Sequence, residues 1–244
     1  MKHKFLNFIL IVLIVVPSTH VYSSGEVNVY SARKEYLIKP LMNLFTQETG
    51  IKVNILSAKS KILIKKILDE GKATPADLLL TVDAGNLYNA KSKGISKAIE
   101  SKVLARLVPH NLRDNENHWF GLSIRSRVIM YNPDKILPSE ISTYEKLGNK
   151  SLKGRICIRS SGNIYNQSLM SSLIYHHGEK YAEEWASKVV KNFSRPPKGN
   201  DRSQMTAVVL GKCDATLANT YYLGKWITSK KDVERKYANK IKVI

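Results

Sequence analysis

The 244 residues carry 39 Lys+Arg against 20 Asp+Glu, a formal net charge of +19, with 43% hydrophobic residues, 13 Gly and 8 Pro. This mixture excludes a disordered tail and a fibrous repeat, and the length accommodates one large domain or two small ones with real cores. So basic a chain first suggests nucleic acid or an anionic membrane as partner, a suggestion the N-terminus redirects.

Lys2 and Lys4 precede an apolar run from Phe5 to Val16 that is interrupted only by Asn7 and ended by Pro17. Residues 1–23 read as a secretory signal peptide cleaved near Ser23, because a spanning anchor needs about 20 apolar residues and this run is shorter. Its removal takes away Lys2 and Lys4 and no acid. Export argues against nucleic acid, and the basic residues are dispersed without aromatic interleaving. Many fall on predicted solvent faces, such as Lys59, Lys61, Lys65 and Lys66. The charge therefore reads as a lysine-rich surface.

Strand and helix signals then alternate. Val27–Tyr30 reads as a strand, and Leu37, Leu41, Leu44 and Phe45 mark one face of a helix that stops at Gly50. Ile51–Leu56 is a second strand, followed by a helix through Ile62, Leu63, Ile67 and Leu68 that ends at Gly71. The run Leu78–Val82 has the character of a buried parallel strand, and a helix from Ala84 to Lys93 follows. Such βαβαβα order predicts a parallel sheet with ligand sites at the carboxyl ends of its strands, here after Tyr30 and Val82. At those turns, Tyr30 is expected to pack at its strand end and Asp83 to cap the next helix.

Trp119–Tyr131 is strand-rich, a helix is expected around Tyr144–Leu147, and Arg155–Arg159 reads as a strand. The loop Ser160–Tyr165 opens a helix through Leu169, Leu173 and Ile174, with further helices over 179–190 and 203–210. Asp214–Leu217 is a strand whose exit, Ala218-Asn219-Thr220-Tyr221-Tyr222, turns into another helix. Two α/β lobes joined around the Trp119–Tyr131 strands account for this order. The two cysteines, Cys157 and Cys213, read as one disulfide in an exported chain, worth about 4 kcal/mol by loop-closure entropy.

No GxSxG, HExxH, Walker or GxGxxG pattern occurs. The pair His176-His177 precedes Gly178 at a helix end and reads as surface or capping. Tyr165, Tyr221 and Tyr222 differ, because all three sit where a strand hands over to a helix. One reading of the doublet is a core ring beside a surface ring. The other is a hard phenolate site for Fe³⁺, in which only the charge of the metal deprotonates groups of pKa near 10.

Several segments carry a resemblance. They are Val29-Tyr30-Ser31-Ala32-Arg33, Glu48–Val53, Pro75-Ala76-Asp77 with Leu80–Asp83, and Arg127–Asn132. The series continues with Cys157–Ser161 plus Tyr165-Asn166, and Leu217–Tyr222. Together they resemble the periplasmic ferric-iron-binding proteins of ABC transporters, the FbpA/FutA type within the extracellular solute-binding family, from about Val27 to the last residue. The resemblance implies a two-lobed periplasmic-binding-protein fold (α/β, transferrin-like, class II), with lobe 1 over 24–125 and lobe 2 over 126–240. Residues 241–244 would start the strand returning to lobe 1, and the strands and helices that normally follow in both lobes are missing, so the fold is expected to be incomplete at the C-terminus. The alternative reading is a non-functional remnant of a split gene.

The resemblance further implies Fe³⁺ ligation by Tyr165, Tyr221 and Tyr222, a synergistic carbonate helped by Arg33, a periplasmic monomer, and an inner-membrane ABC permease as partner. One subgroup of the family adds a His-Tyr pair at the first turn; Lys34-Glu35 stands there in this sequence, which resembles instead the subgroup completed by carbonate. Glu35 and Tyr36 are candidate substitute ligands or simply solvated first-turn residues. A carrier without covalent chemistry is implied, not an enzyme. The rival readings are a binding protein of the same fold for thiamine, a polyamine or a phosphonate, and a basic protein for anionic polymers.

Overall fold

The computed structural model describes residues 25–244, so the signal peptide expected at 1–23 lies outside the described residues. β1 (Glu26–Ser31), α1 (Glu35–Thr49), β2 (Lys52–Ser57), α2 (Ser60–Glu70), β3 (Leu78–Leu80) and α3 (Ala84–Ser92) follow in the expected order. β1 is the central strand and pairs in parallel with β2 and β3. Parallel neighbours need crossovers, which α1 and α2 supply. α1 stops where expected, because Gly50 takes φ 72°, a left-handed conformation that glycine reaches without a Cβ penalty.

Burial in this first lobe departs from the pattern. The strand expected to be buried over Leu78–Val82 spans only Leu78–Leu80, is an edge strand, and leaves Leu78 48% exposed. Apolar character marks what a segment can bury; what it does bury depends on a neighbour, and β3 has one only on its β1 side. Similarly, Leu37, Leu41, Leu44 and Phe45 of α1 are all exposed, Leu41 by 57%. Val29 and Ile64 of this lobe are also buried, and Tyr30, Leu63 and Ile67 form its buried cluster, with Leu79 and Ile95 packed on it. Tyr30 packs at its strand end as expected, its hydroxyl donating to Glu70 at 3.0 Å.

A short helix, α4 (Lys102–Leu107), capped by the Ser101 hydroxyl, has no counterpart in the sequence reading. The expected strand-rich stretch Trp119–Tyr131 is mostly irregular. An isolated bridge joins Arg113 to Phe120, Leu122 and Ile124 are exposed, and β4 begins only at Arg127 (Arg127–Tyr131). Without a partner to pair with, the apolar alternation there does not become strand.

The second lobe contains β4, β5 (Ile156–Cys157), α5 (Ile164–His177), α6 (Glu179–Lys191), α7 (Asp201–Val209), β6 (Ala215–Asn219), α8 (Thr220–Ile227), α9 (Asp232–Ala238) and β7 (Lys242–Val243). Its sheet order is β5-β6-β4-β7, with β5 parallel to β6 and β4 antiparallel to both β6 and β7. The strand expected at Ile241–Ile244 forms at Lys242–Val243 on the edge of this sheet. Alternation along β4 sends Ile129 to one face and Met130 to the other, where they join separate buried clusters. Leu217 and Ile156 belong to the first cluster; Ala218, Met205 and Trp226 belong to the second. The expected disulfide Cys157–Cys213 ties β5 to the turn before β6 across 56 residues. The helix expected around Tyr144–Leu147 is a single 3₁₀ turn, Glu145–Gly148. No helix among the described residues is long and apolar enough to cross a membrane.

The lobes touch where α3 meets α5. Asp83 caps α3 as expected, accepting from the Gly85 amide at 3.0 Å, and it also accepts from the Ser168 hydroxyl of α5 at 2.5 Å. Its φ of 77° is unusual for a residue with a side chain. Gly85 packs closely in the same contact, where a Cβ would sit 2.9 Å from Ile164 Cδ1, the movable end of that side chain.

Candidate metal centre

Two helix starts position the tyrosines. Asn163 precedes α5, and its side-chain oxygen accepts from the Tyr165 amide at 3.2 Å, which sets Tyr165 in the first turn. β6 is buried along its whole length and delivers the chain directly to α8, so Tyr221 and Tyr222 occupy that helix's first turn. Consecutive helical residues diverge by about 100°. Tyr222 accordingly leans on the second core cluster while Tyr221, 36% exposed, faces Tyr165. The hydroxyls of Tyr221 and Tyr165 stand 3.5 Å apart, and the rings of Tyr221 and Tyr222 lie 4.4 Å apart at 45°. The Asn219 amide donates to the Tyr221 hydroxyl at 3.3 Å. The three tyrosines singled out in sequence thus form one cluster.

Beneath the cluster lies a charged network that sequence reading missed. Arg127 donates to Asp201 and to the Asn219 side chain, each at 3.3 Å, to Asn166 at 2.6 Å and to the Leu217 carbonyl at 3.2 Å. Arg159 reaches the other Asp201 oxygen at 3.4 Å, and Asp201 is fully buried. A single guanidinium therefore ties the residue after Tyr165 to the strand end before Tyr221. Arg125, Arg127 and Arg159 sit 4.9, 5.9 and 5.8 Å from the centre of the Tyr165 ring, and Arg125 donates to its hydroxyl at 3.4 Å. The available signal was Arg125-x-Arg127 entering an apolar strand and Arg159 leaving another. Arginines at strand ends that flank a tyrosine turn are not bland surface charge.

Electrostatics divides the trio. Burial, followed by the hydrogen bond and charge of Tyr221, pushes the Tyr165 phenol up to about 12. Tyr222 is raised further by the same two causes. Burial also acts against ionising Tyr221, but donation from Asn219, Tyr165 and Tyr222 outweighs it and leaves its pKa lowered. A cluster of hard oxygen donors held by rigid elements is chemically suited to a small, highly charged cation.

The first-lobe candidates lie elsewhere. Arg33 is exposed, with its amide donating to the Ser31 hydroxyl. Glu35 pairs with Lys39 at 3.1 Å, and Tyr36 is exposed with Lys34 over its ring. No hydrogen bond, ion pair or ring contact joins these three to the tyrosine cluster among the described residues. His176 and His177 end α5, where His177 Nε2 lies 3.2 Å from the Glu145 carboxylate. Tyr165 also borders an open cavity of about 970 Å³ whose opposite wall comes from the first lobe.

With this geometry established, comparison with known proteins assigns the family. A family profile described as bacterial extracellular solute-binding protein matches residues 73–239. Iron uptake protein A1 of Synechocystis is 45% identical over 218 residues, covering 89% of this chain and 61% of its own. The Fe(3+)-binding periplasmic protein of Serratia marcescens is 30% identical over 195 residues, covering 80% of this chain and 56% of its own. Among solved structures, Trichodesmium FutA (IdiA) in complex with iron and citrate ligands superposes with a TM-score of 0.86 at 48% identity, over 90% of this chain and 70% of that one. The chain spans about 61% of the first of these curated relatives and adopts the two-lobed α/β architecture of its structural neighbours. It belongs to the bacterial extracellular solute-binding protein family.

Proposed function

We propose that this chain is the solute-binding component of a ferric iron ABC transporter. It is a periplasmic, monomeric carrier that takes Fe³⁺ as cargo and delivers it to an inner-membrane permease. The phenolates of Tyr165, Tyr221 and Tyr222 hold the metal, and a carbonate fills remaining coordination positions. Arg33 of the first lobe assists the anion, and Glu35 or Tyr36 offers a further donor when the lobes close. No covalent step is involved.

The observation that carries this reading is the convergence of three phenol groups from two helix starts on one buried arginine–aspartate scaffold. The names of the relatives, an iron uptake protein and a Fe(3+)-binding periplasmic protein, support it. Phenols become ligands only by losing protons, so each bound ion releases protons and acid competes with it. Tyr165, raised to about 12, and Tyr222, raised further, make that competition steep.

The test is thermal unfolding of the purified chain with and without stoichiometric Fe³⁺ and bicarbonate at neutral pH. Ligand that binds only the folded state raises the midpoint, by about 4 kcal/mol of stabilisation at a thousandfold excess over Kd. The rise should shrink as pH falls. An unmoved midpoint would refute the proposal.

A further inference from the structure

We propose that the hydrogen bond between Asp83 and Ser168 is an interlobe latch that sets how fast the cleft opens, and so how fast bound Fe³⁺ leaves. The inference rests on the ferric reading above for its cargo and adds two positioning residues, neither of them a ligand. Each of the three buried clusters stays within one lobe, so no shared core holds the lobes together among the described residues. No ion pair joins the lobes among these residues either. Two hydrogen bonds do: Arg125, in the segment that connects the lobes, donates to the Tyr165 hydroxyl, and Ser168 donates to Asp83. Both reach α5, one helical turn apart.

The local chemistry fits a latch. Ile164 and Ser168 share one face of α5, and Gly85 lets α3 approach it: a Cβ there would sit 2.9 Å from Ile164 Cδ1 and 3.5 Å from Ser168 Oγ. One Asp83 oxygen serves both lobes, accepting from the Gly85 amide at 3.0 Å and from the Ser168 hydroxyl at 2.5 Å. A helix cap alone needs only a neutral oxygen, as Ser101 supplies to α4 and Asn163 to α5. Asp83 brings a half-buried carboxylate that has no cation within ion-pair distance among the described residues. Its charge strengthens the bond from Ser168. The tyrosines, in contrast, are held from within the second lobe by Arg127 and Asn219. Undoing the latch therefore frees the first lobe to swing away without rearranging the phenols.

The experiment compares the purified full chain with Ser168→Ala and Asp83→Asn. Alanine favours helix, and circular dichroism verifies that Ser168→Ala is folded. Iron-loaded protein is mixed with excess EDTA and the decay of its charge-transfer absorbance is followed; small-angle X-ray scattering of the iron-free protein reports lobe separation. The proposal predicts that Ser168→Ala loses iron at least about tenfold faster with its band maximum unshifted, and that its iron-free radius of gyration rises. Asp83→Asn, whose amide oxygen accepts the same two bonds without the charge, should fall between that variant and the wild type.

An unchanged release rate or an unchanged radius in Ser168→Ala overturns the latch and leaves the ferric reading intact. A shifted band also overturns it, because Ser168 would then govern coordination and not opening. A wild type that binds no iron overturns the ferric reading, and the scattering comparison alone then decides the latch.

Discussion

In the second lobe every residue of β6 is buried, and two apolar clusters enclose the sheet on both faces. In the first lobe, α1 buries none of its fifteen side chains, and the buried cluster of Tyr30, Leu63 and Ile67 is far smaller. The contrast separates two jobs. The lobe that carries the tyrosines fixes them on strand ends, helix caps and a buried ion cluster, so their geometry is set before any ligand arrives. The first lobe contributes exposed turns, cations and one wall of a cavity, and little packing holds them in one arrangement.

That difference can be broken experimentally. The largest effect is expected at Arg127. Arg127→Met strips the fully buried Asp201 of one partner and cuts the tie between the two tyrosine-bearing helices. Breaking such a cluster should cost about 3–5 kcal/mol in urea unfolding. A loss below about 1 kcal/mol would show that the scaffold is not fixed by this network. Next, Cys157→Ser/Cys213→Ser should lower stability by about 2–4 kcal/mol, with the loss seen at Trp185 and Trp226 of the second lobe and not at Trp119. Uniform loss at all three would mean that the two regions unfold as one.

Acid sharpens the contrast from the other side. Hydrogen bonds from Lys66 and Thr74 hold the Glu70 carboxyl below its ordinary value, and the Tyr30 hydroxyl adds to them. A depressed carboxylate contributes stability that is fully present above its unfolded pKa and lost as pH falls through the folded one. The first lobe should therefore loosen as pH drops below the ordinary carboxylate range, followed by amide exchange in β1 and α2. Glu70→Gln should flatten that dependence, and an unchanged profile would contradict it. The smallest effect is expected on α1, where Leu41→Gln should change stability by less than about 0.5 kcal/mol because the side chain is already exposed. A cost of 2 kcal/mol or more, as in a true core, would show that this face is covered in solution.

Much of this was legible beforehand. Gly50 as a helix stop, Tyr30 packed at its strand end, Asp83 as a cap and the Cys157–Cys213 link are local signals, fixed by backbone preference or by counting. The turn positions of Tyr165, Tyr221 and Tyr222 marked them as candidates, and the family resemblance suggested that they act together. What failed to read depends on partners distant in sequence. The periodicity of Leu37, Leu41, Leu44 and Phe45 identifies a helix face but not what covers it. Likewise, the bonds of Arg127 to Asn166, Asp201 and Asn219 join residues 39, 74 and 92 positions away. α9 escaped because seven residues with charged ends carry no long apolar stripe.

Phenolate ligation is tested most directly by visible spectroscopy of a ferric titration. Wild-type protein at neutral pH should develop a phenolate-to-iron charge-transfer band that saturates at one iron per chain and bleaches on acidification, and Tyr221→Phe/Tyr222→Phe should abolish it while remaining folded. A wild type that binds one iron without colour, or a band of undiminished intensity in the double variant, would contradict phenolate ligation.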